Sequence, residues 1–124
     1  MDIINYTDFA KVDIRIGTVT EAIVPEWSHW VMKITVDLGP EIGTKICFSG
    51  IMKFFKPEDL VGKQYPFVVN LEPKKTGPDR ELSEVMMVMA VPDPENEDLP
   101  AGRQDTPPVL FRLQKKVANG VKVL

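Results

Sequence analysis

Two residue types that could supply a nucleophile or a base each occur once, as His29 and Cys47. Catalysis by such a pair needs the two side chains in contact. Cys47 falls in the apolar run "TKICFSG" and His29 in the loop-like stretch "PEWSHW". We read a small buried thiol and an exposed imidazole. Neither residue shares a recognisable metal-ligand spacing with nearby acids. The cluster "DPENED" (93–98) lacks the glycine and terminal glutamate of a calcium loop and reads as a solvated acidic loop. No glycine-rich loop suited to cradling phosphate is present. These residues point to a protein that is not an enzyme, with no metal and no cofactor.

The remaining chemistry is that of binding. "PEWSHW" (25–30) carries Trp27 and Trp30, and "EPKKTGPDRELS" (72–83) carries Lys74, Lys75 and Arg80. Lys33 and Lys45 fall on strand-like runs between them, and Lys53 follows. Indole rings can stack on unpaired bases, at about 1–3 kcal/mol per base, and cationic side chains neutralise phosphates. Trp27, Trp30 and Met86 offer the alternative of an adaptable apolar surface for polypeptide. Blander roles compete: tryptophans covering a barrel end or an interface, lysines on a solvated loop tip, and methionines in a core.

Five strands and one helix must position these groups. "KVDIRIGTVTEAIV" alternates apolar and polar residues, and its apolar face shifts by one residue after Gly17, which suggests a bulge or bend there. "VMKITVDLG" alternates cleanly, with Met32, Ile34, Val36 and Leu38 on one face. "TKICFSG" is a short third strand. Pro57, followed by Glu58 and Asp59 and closed by Gly62, marks a short helix. "QYPFVVNL" is a fourth strand, with Pro66 hinting at an edge or an irregular entry. "EVMMVMAV" is a fifth strand, apolar on both faces. Three strands, a short helix and two strands give an all-β class, the order of a five-stranded OB-fold Greek-key barrel. In that fold the second and third strands and the first–second and fourth–fifth loops form the ligand surface. "PVLFRLQKKVANGVKVL" adds short terminal strands, with Asn119-Gly120 as a tight-turn signal.

The chain has 124 residues and suits one domain, 1–124, with a core over about 8–91, an acidic loop at 92–106 and C-terminal strands at 107–124. The net charge of −3 argues against nucleic acid, but its distribution qualifies the sum. Residues 92–105 hold five acids and one arginine, which leaves 14 basic and 13 acidic residues elsewhere. Lys45 to Arg80 holds seven basic residues and four acids. The single cysteine excludes an internal disulfide and fits a reducing compartment. No apolar run is long enough to span a bilayer, and the first residues lack the basic and apolar regions of a signal peptide. We therefore expect a cytoplasmic protein with no membrane association.

The segments "VDIRIGTV", "VDLG", "FSGI", "LVGKQ", "NLEPKK" and "SEVMMVMA", in this order, resemble the tRNA-binding domain family over roughly residues 8–91. That family includes the C-terminal domain of methionyl-tRNA synthetases, stand-alone tRNA-binding proteins and the CsaA-type secretion chaperones. "PEWSHWVMKITVDLG" and "SEVMMV" look most like the CsaA-type branch. The resemblance implies an OB-fold homodimer joined through terminal elements, binding tRNA by shape and phosphate contacts. For the CsaA branch it also implies binding of unfolded or presecretory polypeptides. By position, the family's basic Asn-Leu-x-Pro-x-Lys segment falls on Asn70 to Lys75 and its Ser-x-Gly-Met segment on Ser83 to Met86. Arg15 and Gly17 match a structural turn of the family. Val85 stands where the family commonly has glycine. The 73–83 loop is about two residues longer than usual, with Asp79 and Glu81 diluting its charge, and the acidic insert after Val91 is also long.

Overall fold

The computed structural model describes residues 1–92 and 106–124; the acidic loop lies almost wholly outside the described residues. Its principal sheet is built from β1 (Ile14–Ile23), β2 (Met32–Asp37), β3 (Thr44–Ser49), β4 (Gln64–Val68) and β7 (Met86–Met87). The spatial order is β3-β2-β1-β4-β7, with every pairing antiparallel. The Ser83 hydroxyl accepts from the Phe48 N–H (3.0 Å) and the Glu84 carboxylate accepts from the Ile46 N–H (2.9 Å). The Glu84 N–H donates in turn to the Ile46 carbonyl (2.8 Å). These bonds join the chain entering β7 to the free edge of β3, which nearly closes the sheet into an OB-fold barrel.

Alternation along β2 puts Met32, Ile34 and Val36 inside. Phe67, Leu38, Ile51, Leu60, Val19 and Cys47 complete the fully buried centre. Helix α3 (Pro57–Leu60) covers one end of the barrel, with Leu60 turned into the core. The Asp59 carboxylate accepts from the Lys56 N–H (2.8 Å) and secures its first turn. Two further short helices, α1 (Tyr6–Phe9) and α2 (Gly39–Ile42), precede β1 and β3.

Three sequence expectations are corrected. The β1 bulge lies between Val19 and Glu21 rather than at Gly17. A Cβ at position 17 would stand 2.6 Å from Val36 Cγ2 and 2.7 Å from Leu38 Cδ2, so Gly17 serves close packing of β1 on the core. Pro66 lies inside the sheet, not at an edge, because β4 pairs with both β1 and β7. Its partner Ile16 turns both peptide groups toward the C-terminal segment, accepting from Gly120 N–H and donating to Val121 O. The missing Pro66 N–H therefore falls on the β7 side, where the ladder stops after Met87 and only the Val88 N–H reaches the Pro66 carbonyl (3.0 Å). For the same reason "EVMMVMAV" is not one strand. It divides at Val88 into β7 and β8 (Met89–Ala90), and β8 pairs with β9 (Val109–Leu110).

The C-terminal segment fills the edge of β1 that β2 leaves open. Val123 N–H donates to Ile14 O (2.8 Å), and Arg15 and Lys122 form an antiparallel bridge. The expected turn at Asn119-Gly120 is present. The Asn119 amide oxygen accepts from Thr18 Oγ1 (2.7 Å) and Gln64 Nε2 (3.0 Å), and Gln64 also bonds both the N–H and the carbonyl of Val117. No helix among the described residues is long and apolar enough to cross a membrane.

Candidate nucleic-acid interface

The 73–83 segment is not an open loop. Strands β5 (Lys74–Thr76) and β6 (Glu81–Ser83) form a hairpin folded against β2–β3. Trp27 anchors its tip. A Cβ on Gly77 would collide with the Trp27 indole, and Gly77 also has φ +73°, so glycine is needed twice over. The indole also meets Phe48 at a ring-centroid distance of 6.1 Å. Trp27 thus touches both the hairpin and the sheet.

Period-two alternation along the hairpin separates Lys74 from Lys75. Lys74 pairs with Ser83 and shares its side, toward β3, while Lys75 pairs with Leu82 on the outward side. Glu81 lies on the inward side and its carboxylate meets Lys33 Nζ at 2.7 Å. Lys33 is therefore already neutralised beneath the hairpin. Arg80 occupies the hairpin turn at φ +55°, with its N–H donating to Gly77 O (3.1 Å).

Below the hairpin runs a groove of about 520 Å³. Trp30, Phe48, Leu71, Met86 and Met89 supply much of its apolar wall, with Lys74 and Ser83 at the rim. Met86 is 49% exposed although its strand neighbour Met87 is buried. Lys53 lies on the turn after β3 that adjoins this region, where the Met52 N–H donates to Trp30 O (3.3 Å), and its ammonium stands 5.9 Å from the Phe54 ring centroid.

The geometry thus gathers Trp30, Met86, Lys74 and Ser83 around one groove and leaves Lys75 and Arg80 on the outer hairpin. Two candidates lie elsewhere. Lys45 has the parity of Cys47 and Ser49 on β3, which face the core, and sits opposite Val36. The Asn70 amide accepts from Asp13 N–H (2.9 Å) and donates to Lys11 O (2.6 Å), so it clamps the chain before β1. Ser83 is engaged in closing the barrel, as is Glu84, a residue the sequence reading passed over. The Ser-Glu dipeptide before an apolar strand was the available signal.

Cys47 is 1% exposed, and burial pushes its thiol up to about 11, against a weaker opposing bond from the Met87 backbone. It stays protonated at neutral pH, whereas a nucleophilic cysteine acts as the thiolate. His29 is exposed on the β1–β2 loop. Among the described residues no three His, Cys, Asp or Glu side chains stand close enough to hold a metal ion.

Comparison with known proteins agrees with this architecture. The chain is 36% identical over 96 residues to the methionine–tRNA ligase of Pyrococcus horikoshii, covering 77% of this chain and 13% of the ligase. It is thus similar to a small part of a much longer enzyme. Chaperone CsaA from Bacillus anthracis superposes with a TM-score of 0.78 at 34% identity, covering 99% of this chain and all of that one. A methionyl-tRNA-synthetase-related protein from Pyrococcus horikoshii superposes with a TM-score of 0.83 at 27% identity, with all of both chains covered. The family model described as a putative tRNA binding domain matches residues 14–121, and the chain belongs to that family.

Proposed function

We propose that this protein is a non-catalytic, homodimeric tRNA-binding protein that holds its ligand by shape and phosphate contacts. The observation that carries the reading is the hairpin. Lys74, Lys75 and Arg80 are all exposed, and among the described residues none has a carboxylate within 4.0 Å. Lys74 stands at the rim of a groove edged by Trp30, with Lys75 and Arg80 on the outer side of the same hairpin, so phosphate neutralisation and base stacking are available close together. The ligases similar to this chain are far longer, so aminoacylation is no part of the reading. A titration of tRNA against the protein over a range of salt tests it. Replacing Lys74 and Lys75 by alanine removes two phosphate contacts and lowers the magnitude of the log–log salt slope by about 1.4 to 1.8. No binding of tRNA at low salt would overturn the reading.

A second reading rests on the groove itself. Its apolar lining and its exposed Met86 suit an extended polypeptide, and the CsaA chaperone of similar fold makes a holding role for unfolded or presecretory chains worth a direct test. Met86→Ser should weaken suppression of client aggregation while leaving the salt slope for tRNA unchanged, since it adds and removes no charge. Wild-type protein that fails to suppress aggregation eliminates this second reading.

A further inference from the structure

A second cavity, of about 300 Å³, shares no lining residue with the groove. One wall is Gly62 to Tyr65, where the chain leaves α3 and enters β4. The other is Arg112, Leu113, Lys115 and Lys116 of the C-terminal segment. Four of its eight lining residues are cationic, and all four are exposed. Among the described residues none of the four has a carboxylate within 4.0 Å. Asp59 acts electrostatically on Tyr65 of this wall, and its carboxylate accepts the Lys56 N–H.

The two walls are fixed relative to each other. Gln64 bonds both peptide groups of Val117, and Asn119 bonds Thr18 and Gln64. The cations are thus gathered by folding from two distant parts of the sequence, against their mutual repulsion. Such a cluster lowers its energy by taking up a multivalent anion. Arginine offers a planar fork suited to two oxygens of one phosphate, and the lysines add mobile point charges. Burial raises the Tyr65 phenol above its ordinary range, so it remains an O–H donor beside them.

We propose that this cavity is a phosphate-binding site, lined by Lys63, Arg112, Lys115 and Lys116, that takes the oxyanions of a polyphosphate or of a nucleic-acid backbone. It is separate from the hairpin and does not depend on the tRNA reading. If both sites engage one RNA, the molecule contacts it at two places on the barrel.

The test uses the full chain in two arms. In the first, tripolyphosphate is titrated while amide NMR shifts are followed. Saturable shifts at Gly62–Tyr65 and at 112–116, weakened at least about tenfold in Lys115→Ala/Lys116→Ala, are expected. In the second, the tRNA salt slope is measured for the same variant. A slope smaller in magnitude by about 1.4 to 1.8 identifies RNA backbone as an occupant, and an unchanged slope beside weakened tripolyphosphate binding in that variant identifies a free polyphosphate. Absence of both effects overturns the proposal, as does an equal effect from Lys11→Ala/Lys122→Ala, whose side chains lie outside the cavity lining. If wild-type protein binds no tRNA at all, the tripolyphosphate arm still decides.

Discussion

Arg15 holds the start of β1, the α2 corner and the C-terminal segment together. Its guanidinium donates to both carboxylate oxygens of Asp13 (2.7 and 3.3 Å), to Gly120 O (3.0 Å) and to Glu41 (3.3 Å). The hydrogen bond from Arg15 is the main reason that Asp13 is held below the usual carboxylate range, with partial desolvation opposing it. A depressed carboxylate stabilises the fold at any pH above its ordinary value of 3.8, and that stability is lost as pH falls through the lower folded value. Asp13→Asn should therefore be less stable than wild type at pH 7, and the gap should narrow below pH 3.8; urea unfolding at the two extremes measures it. An unchanged gap would mean that Asp13 acts without its charge. Gly77 is a second residue whose role is fixed by its surroundings. Alanine there adds positive-φ strain to a collision with Trp27, at a cost of about 1–3 kcal/mol. Reduced stability together with altered tryptophan fluorescence checks it. The sequence revealed a glycine in a turn-like string, but not the indole above it, because that contact spans the separation from position 27 to position 77.

At the scale of elements, local pattern explains what could be read from the chain. The clean alternation of β2 and the Pro57-Glu58-Asp59…Gly62 string both survive in the fold, because each is set by nearest neighbours and by one buried face. The break in "EVMMVMAV" could not be read that way. It depends on which side of β4 the Pro66 nitrogen faces, and that is decided by Ile16 bonding to the C-terminal segment. The hairpin was legible as charge but not as shape: Lys74 and Lys75 were adjacent cations, whereas the β5–β6 register puts them on opposite faces. Ser83 shows the same limit, since a side chain suited to phosphate is spent on the β3 edge. Ser83→Ala leaves the Phe48 N–H without its acceptor, at about 1–3 kcal/mol. Hydrogen exchange at Phe48 should accelerate in that variant while exchange at the β1–β4 amides does not. Uniform acceleration would show that the closure is not a local element at all.

The whole molecule poses a question of its own surface. Helix α1 has no buried residue, and Ile3, Ile4, Tyr6 and Phe9 are exposed, Ile3 at 95% and Tyr6 at 75%. Isolated helices shorter than about 12 residues are marginal in water, so four residues that include no buried side chain need another source of stability. Val12, Val121 and Val123 are also exposed, and their segments are tied to the start of β1 by Asn70 and by the Val123–Ile14 hydrogen bond. The two terminal segments that carry these apolar side chains thus both run beside the start of β1, on a small barrel whose own core is already closed. A second copy of the chain would cover such a surface, and stable interfaces bury roughly 800 Å² on each partner. The proposed homodimer therefore makes a sharp demand. Sedimentation equilibrium should give a two-chain mass for wild type and a one-chain mass for Ile4→Asp/Phe9→Asp, with the circular dichroism of the barrel retained in both. Dimer formation would also double the number of hairpins and of basic cavities available to one RNA, so the variant should lose tRNA affinity without losing any cation. A wild-type protein that sediments as one chain at high micromolar concentration would remove the dimer, and with it that avidity, while leaving each site's own phosphate chemistry standing.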